Sequence, residues 1–430
     1  MIGRTTNSAS VDTFDLRFIG LIVAILGAGV LSIYSVTYDQ NAAFPFYAKQ
    51  VVWILLGAVA FLAMWLSDYH QIARLAYPAY AIILVLLTVV LVEGKSSRGA
   101  QRWIPMGPFA FQPSEFAKLV LILTLAHYYS KAPRVGWLQR VVWPGLLVLP
   151  GLILILKQPD LGSGLSFLVV YVVMLLMVGT RPKALSMALV FALMLFPFAW
   201  EAMWGSLHDY QRQRIMTFVD STYDTSGKGY HALQSRIAIG SGELTGKGLH
   251  GGTQSQLKFL PEGHTDFVFS VFAEEWGFLG ALALLLLFAA LIWLSLEIVA
   301  RAKDRLGALL AVGITCMLSF CIMVNIGMTV GTFPIVGIPL PLMSYGGSAT
   351  VMTLASLGLL LNVKRRRLSF FSAQMITGPR MHHARGARVY VWWKPSVDEV
   401  SSGGLNLGIS RVHPPHRFDG SPERKESVWV

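Results

Sequence analysis

Residues 235–280 read SRIAIGSGELTGKGLHGGTQSQLKFLPEGHTDFVFSVFAEEWGFLG. The run is glycine-rich and polar, carries Asp266, Glu274 and Glu275, and feeds straight into an apolar segment. Residues 276–298 alone are long enough to cross the hydrocarbon core of a bilayer. Asp266 precedes them by about ten positions, roughly 15 Å along a helix at 1.5 Å per residue. That depth is the layer of lipid head groups. Glu274 returns near the same helix face as Asp266, and Glu275 points away. An acid at a helix start has an ordinary explanation, complementing the positive end of the helix dipole. His264 beside it and cations on neighbouring loops give a second one, a carboxylate placed to act on a polar head group.

The rest of the chain reads as the mounting for this junction. Of 430 residues, 54% are hydrophobic and 13% charged, far from a soluble domain. Apolar runs of about 20 residues recur along most of its length, each able to span a bilayer. The fold expected is therefore an all-α polytopic membrane protein, since lipid offers open backbone groups no partner. About ten spans are predicted, near 16–36, 47–66, 72–92, 114–129, 141–156, 161–179, 184–204, 267–298, 306–332 and 344–363. A large loop, 205–265, separates the seventh from the eighth. The first run is long and lacks a small-residue cleavage pattern, which speaks against a removable signal. Cys316 and Cys321 fall in one apolar run, which suits packing rather than a disulfide framework or a zinc site.

Charge orients the spans. Arg74, then Lys131, Arg134 and Arg140, then Arg181 and Lys183, then Arg301, Lys303 and Arg305, and finally Lys364 to Arg367 occupy alternate loops. The intervening loops 37–46 and 333–343 hold no Lys or Arg. Both termini are therefore expected to be cytoplasmic. The net charge is +12, and residues 364–430 hold 12 Lys or Arg against 5 Asp or Glu. Retention of positive charge inside explains that excess better than nucleic-acid binding. The organisation expected is a short cytoplasmic segment 1–15, a membrane unit 16–364 and a basic, disordered cytoplasmic tail 365–430. His382, His383, His413 and His416 lie in that tail without metal-site spacing.

Two outer loops break the charge rule. One holds Lys95, Arg98 and Arg102, and the other runs Lys157, Gln158, Pro159, Asp160. Cations there are accounted for either by pairing with loop carboxylates or by binding an anion at the outer surface. Glu115 and Lys118 share a face at the start of the fourth span, as a salt bridge or as a substrate contact. Residues 331–347, with Pro334, Pro339 and Pro341 among glycines, cannot be regular helix. Such irregular backbone should line a cavity or lie at the outer surface, with Asn325 and Ser344 as polar neighbours.

Gly252, Thr253, Gln254, Ser255, Gln256 and Leu257, then Phe259, Leu260, Pro261 and Glu262, then His264, Thr265, Asp266 and Phe267 closely resemble the signature of the SEDS family. The likeness is greatest to its rod-shape-determining branch, RodA. It extends over residues 15–365 and includes the runs 98–103, 112–118, 157–162, 234–236 and 334–347. Gly263 departs from the larger residue usual in that branch, and the tail after Arg367 is longer than typical. The resemblance implies a peptidoglycan glycosyltransferase of the bacterial inner membrane. Such enzymes polymerise lipid II at the outer face, beside a class B penicillin-binding protein, elongation-complex proteins and membrane lipids, with no nucleic acid. Asp266 matches the family's essential acid.

The chemistry fits the residues. An acceptor sugar hydroxyl must lose a proton as it attacks the donor's anomeric carbon, and a carboxylate such as Asp266 can take it. The lipid pyrophosphate that leaves wants positive charge, for which Arg98, Arg102, Lys157, Arg236 and Lys247 are the outer candidates. Glu115, Lys118, Asp160, Gln254, Glu262 and His264 are further candidates for substrate contact. Glu274 is a weaker candidate for a second acid. A divalent cation, Mg or Mn, has room in this scheme, without a legible ligand set. A flippase for the same lipid-linked precursor is the competing reading, and a scaffold without catalysis is a third. The absence of an inverted repeat and the clustering of ionisable residues outside the midplane count against transport.

Overall fold

The computed structural model describes residues 15–38, 45–97, 100–106, 109–131, 138–179, 228–257, 259–260, 262–377, 381–384 and 387–390. Helices dominate: α1 (Leu16–Thr37), α2 (Phe46–Leu66), α3 (Tyr69–Arg74), α4 (Ala76–Glu93), α5 (Pro113–Lys131), α6 (Trp143–Lys157) and α7 (Leu161–Met177). After the gap come α8 (Lys228–Ser241), α9 (Thr253–Gln256), α10 (Val268–Ala300), α11 (Arg305–Val330) and α12 (Gly347–Thr377). Among the described residues seven helices are long and apolar enough to cross a membrane. Every predicted span except 184–204 coincides with a helix, and 184–204 lies outside the described residues. The span predicted at 72–92 is broken at Leu75 into α3 and α4.

The helices sort by exposure. In the most apolar stretches of α11 and α12, 78% of the residues are buried, against 17% in α2. α11 packs against α5, α7, α8 and α10 and forms the axis of the bundle. On α2, Val51, Leu55, Val59 and Leu62 are exposed, and on α4 Ile82, Val85 and Val92 are. An apolar face left open this widely suits lipid rather than water.

Two features were not legible as spans. A three-stranded antiparallel meander, β1 (Lys95–Ser97), β2 (Ala100–Met106) and β3 (Phe109–Phe111), joins α4 to α5 and adds strands to the all-α expectation. α8 lies inside the expected loop 205–265, of which 205–227 is outside the described residues. The helix hides in the sequence because its buried positions are the small Ser235 and Ala238, while Leu233 and Ile237 are exposed.

α10 is not continuous. Gly277 adopts φ 65°, ψ −166°, so the helix breaks into a head, 268–276, and a long segment, 278–300. The long segment, roughly 23 residues or about 34 Å, still spans a bilayer. The break frees backbone groups, and the loop after α8 satisfies them. Lys247 N–H donates to the Glu274 carbonyl at 3.1 Å and Gly248 N–H to the Glu275 carbonyl at 2.9 Å. In return Phe278 N–H donates to Glu243 O at 2.8 Å and Leu279 N–H to Leu244 O at 3.1 Å. Buried backbone groups need such partners, so loop and broken helix are one unit. Gly246 makes the approach possible: its φ is +80°, and a Cβ there would collide with the Glu275 carbonyl. Gly246→Val should therefore destabilise the protein by at least about 1–2 kcal/mol from the left-handed backbone alone. A lower melting temperature in detergent is the expected readout, and an unchanged one would show that the loop is not stitched in.

At the opposite end of the bundle, Asp68 accepts from His70 N–H at 2.9 Å and pairs with Arg366 at 3.0 Å. Burial works to raise the Asp68 carboxyl, but the His70 hydrogen bonds and the Arg366 charge outweigh it and hold it below its ordinary value. Lys364 pairs with Asp15, and Arg365 lies over the Trp65 ring. The basic run used to orient the chain is thus held by acids and an aromatic ring of this end. The membrane unit extends to Phe371, and residues 372–430 form a second unit. In that unit β4 (Met381–Ala384) pairs antiparallel with β5 (Ala387–Tyr390).

Candidate functional site

Asp266 sits in a run of turns, 262–267, that leads into α10. Glu262 opens the run in the left-handed region, with φ 61°. Its carbonyl accepts Thr265 N–H at 3.0 Å, and its carboxylate accepts the Thr265 hydroxyl at 2.9 Å. Left-handed backbone at a residue other than glycine costs about 1–3 kcal/mol and persists where surroundings enforce it. The end of this run is held by Asn325, buried in α11. Its amide donates to the Asp266 carbonyl at 3.0 Å and to the Ile338 carbonyl at 2.8 Å. One side chain therefore ties the backbone of Asp266 to the proline-rich strap 331–346. Gly337, with φ 73°, brings that strap against the carboxylate: a Cβ there would stand 3.5 Å from Asp266 Oδ2. Asp266 itself is half-buried.

A second group assembles where β2, α5 and α7 meet. Asp160 caps α7, accepting Ser163 N–H at 3.3 Å and the Ser114 hydroxyl at 3.1 Å. Arg102 lies 3.6 Å from the Asp160 carboxylate and donates to the carbonyls of Gln158, at 3.1 Å, and Pro159. Glu115 and Lys118 form a buried ion pair at 2.7 Å on α5. That pair lines a small cavity, about 10 Å³ for water centres and so enough for one water, with Cys321, Pro339, Ser344 and Thr350. Gly162, just after Asp160, abuts Ile338 of the strap. The strap thus has Asp266 on one side and the Asp160 group on the other. The irregular backbone expected for 331–347 borders this cavity, in keeping with its composition.

A third group is structural. Glu274 is fully buried and accepts from Gln254 N–H at 2.9 Å, Ser255 N–H at 3.2 Å and Lys247 Nζ at 2.9 Å. Lys247 also donates to Ser241 at 2.7 Å and Thr253 at 2.8 Å. Those acceptors match the donors of one ammonium group. Lys247, expected among the pyrophosphate cations, is therefore engaged in fastening α9 to α10. Glu274, considered as a second acid, is its partner. Glu275 is also buried and accepts from the Ser35 hydroxyl of α1, fixing the same loop from the other side.

The remaining sequence candidates are placed as follows. Lys157 and Arg236 are exposed, and Arg236 packs against Gly331 at the start of the strap. His264 rings against Phe46 and Tyr345. The backbone of Gln254 serves Glu274. Arg98 lies outside the described residues. Among the described residues no group of three or more His, Cys, Asp or Glu side chains converges in the manner of a metal site. Sequence reasoning missed Gly337, Gln50 and Ser35. Each is an isolated small or polar residue in an apolar context, and only the fold gives it a partner.

Residues 13–369 match the model of the FtsW/RodA/SpoVE family, described as cell cycle proteins. The chain belongs to this family. It is 42% identical over 353 residues to the peptidoglycan glycosyltransferase MrdB of Escherichia coli K12, covering 82% of this chain and 94% of that one. It is 30% identical to the peptidoglycan glycosyltransferase RodA of Treponema pallidum, over 83% of this chain and 99% of that one. Among solved structures it resembles one described under "Structural coordination of polymerization and crosslinking by a peptidoglycan synthase complex". The TM-score there is 0.71 at 34% identity, covering 82% of this chain and 98% of that one. It also resembles the rod shape determining protein RodA of Thermus thermophilus, with TM-score 0.61 at 32% identity, covering 82% and 97%. The RodA branch inferred from the 252–267 signature agrees with these relatives.

Proposed function

We propose that this family member is a peptidoglycan glycosyltransferase that polymerises lipid II into glycan strands at the outer face of the bacterial inner membrane during elongation. The observation that carries the reading is the setting of Asp266. The residue is half-buried, its backbone is pinned by Asn325, and the proline-rich strap passes against its carboxylate at Gly337. The 42% identical relative is named for the same activity.

In the reaction the acceptor hydroxyl oxygen forms the new bond to the donor's anomeric carbon. Its proton passes to the Asp266 carboxylate, and the bond to the pyrophosphate oxygen breaks with its electron pair. Attack opposite the leaving group inverts the sugar centre. The leaving group departs as an anion, so it needs positive charge rather than a proton donor. Exposed Lys157 and Arg236, with Arg102, supply that charge, and Arg98 belongs to the same group of candidates. Asp160, bonded to Ser114 and paired with Arg102, holds the end of α7 beside the strap. A class B penicillin-binding protein is the partner this reading implies for cross-linking. Both termini lie in the cytoplasm on the same reading, with residues 205–265 in the periplasm and 365–430 as a cytoplasmic tail.

The test is reconstitution. The purified chain, with and without a cross-linking partner, is incubated with lipid II and the products are separated by size. Glycan polymer is the expected product. Energy-linked movement of lipid II across the bilayer without polymer would overturn the reading in favour of a flippase.

A further inference from the structure

We propose that Phe46, His264 and Tyr345 form a stacking platform for the acceptor sugar ring beside Asp266. This rests on the glycosyl-transfer reading. The Phe46 and His264 rings lie 4.9 Å apart, tilted by 38°. Phe46 and Tyr345 meet edge to face at 5.1 Å, and His264 and Tyr345 stand 5.7 Å apart. All three residues are partly exposed. They come from different elements, and Tyr345 N–H donates to the His264 carbonyl at 2.9 Å, which ties those two together.

A belt of aromatic rings at a membrane surface has a commoner explanation, contact with lipid head groups. The orientation of Phe46 speaks against it. Gln50, one turn later on α2, is buried, and its amide donates to Ser344 O at 3.3 Å and Thr350 Oγ1 at 3.1 Å. Residues four apart share a helix face. Phe46 therefore turns toward the strap that Gln50 holds, not toward lipid. Lys49 Nζ stands over one face of the Phe46 ring, 5.3 Å from its centre, and leaves a cation beside the group.

A pyranose ring suits such a surface. Its axial C–H bonds carry partial positive charge and meet the negative face of an aromatic ring. Its hydroxyls leave at the edge, where His264, Tyr345 and Lys49 offer polar atoms. His264 stands two positions before Asp266 in the same run of turns. A sugar stacked there has a hydroxyl next to the base, which is what the acceptor requires.

The discriminating experiment is lipid II titration in proteoliposomes with Phe46→Leu, Phe46→Tyr and His264→Leu, each checked for its melting temperature. Leucine preserves apolar bulk and lipid contact but removes the ring face. Phe46→Leu and His264→Leu should raise the lipid II concentration for half-maximal polymerisation about 3- to 10-fold, from the usual worth of aromatic contacts. Phe46→Tyr should stay near wild type. Half-saturation unchanged in both leucine variants, with wild type still polymerising, would overturn the platform alone. If Phe46→Leu does not fold, His264→Leu decides by itself. Absence of polymer from wild type would instead overturn the glycosyl-transfer reading.

Discussion

Asp266→Asn should slow lipid II polymerisation by about 10²- to 10⁴-fold, the usual contribution of a positioned general base. Asparagine keeps the size of the side chain but removes its negative charge and its ability to take a proton. The turn around it should survive, because Asn325 holds the Asp266 backbone carbonyl, not its side chain. Asp266→Glu keeps the charge but displaces it by one methylene against the strap at Gly337. It should retain a small fraction of activity, since geometry as well as basicity sets the rate. Comparable melting of all three proteins, with Asp266→Glu slower than wild type and Asp266→Asn slowest, is the expected pattern. Wild-type polymerisation by Asp266→Asn would remove the base from this position.

Lys118→Met should be the most destabilising single change in the Asp160 group. The Lys118–Glu115 pair is buried on both sides, with side chains 3% and 4% exposed. Removing the cation leaves Glu115 charged and unpaired, which costs about 3–5 kcal/mol in buried pairs. Replacing both partners with apolar residues of similar volume is often neutral. Glu115→Leu combined with Lys118→Met should therefore recover most of the melting temperature lost by Lys118→Met alone. Polymerisation by the double variant then separates the two readings of this pair left open by the sequence. Recovery of stability and activity together marks a structural bridge, and recovery of stability without activity marks a substrate contact.

The membrane fold was legible because its signal is coarse. Apolar runs need only length, and α1, α2, α6, α10 and α11 fall within a few residues of the predicted spans. The break at Gly277 was not legible, because glycine inside an apolar run has no unique reading and its hydrogen-bond partners lie in the preceding loop. α8 was missed for a related reason. Its buried face is made of Ser235 and Ala238, so the apolar periodicity points the wrong way. In the site, Asp266 stood out because an acid at head-group depth is unusual. The Glu274 partner of Lys247 was not legible, since a cation on an outer loop looks the same whether it meets a substrate or Glu274. Phe46 and Tyr345 carried no signal at all, being single rings far apart in the chain that meet only once α2 and the strap are packed.

The central claim is that one carboxylate, Asp266, takes the acceptor proton while the neighbouring acids hold structure. The most direct measurement is the initial rate of lipid II polymerisation by Asp266→Asn, Glu262→Gln, Asp160→Asn and Glu274→Gln in one set of proteoliposomes, each normalised to folded protein. Activity should collapse in Asp266→Asn and persist in part in Glu262→Gln and Glu274→Gln. A collapse confined to one of the other acids, with Asp266→Asn still polymerising, would contradict the account.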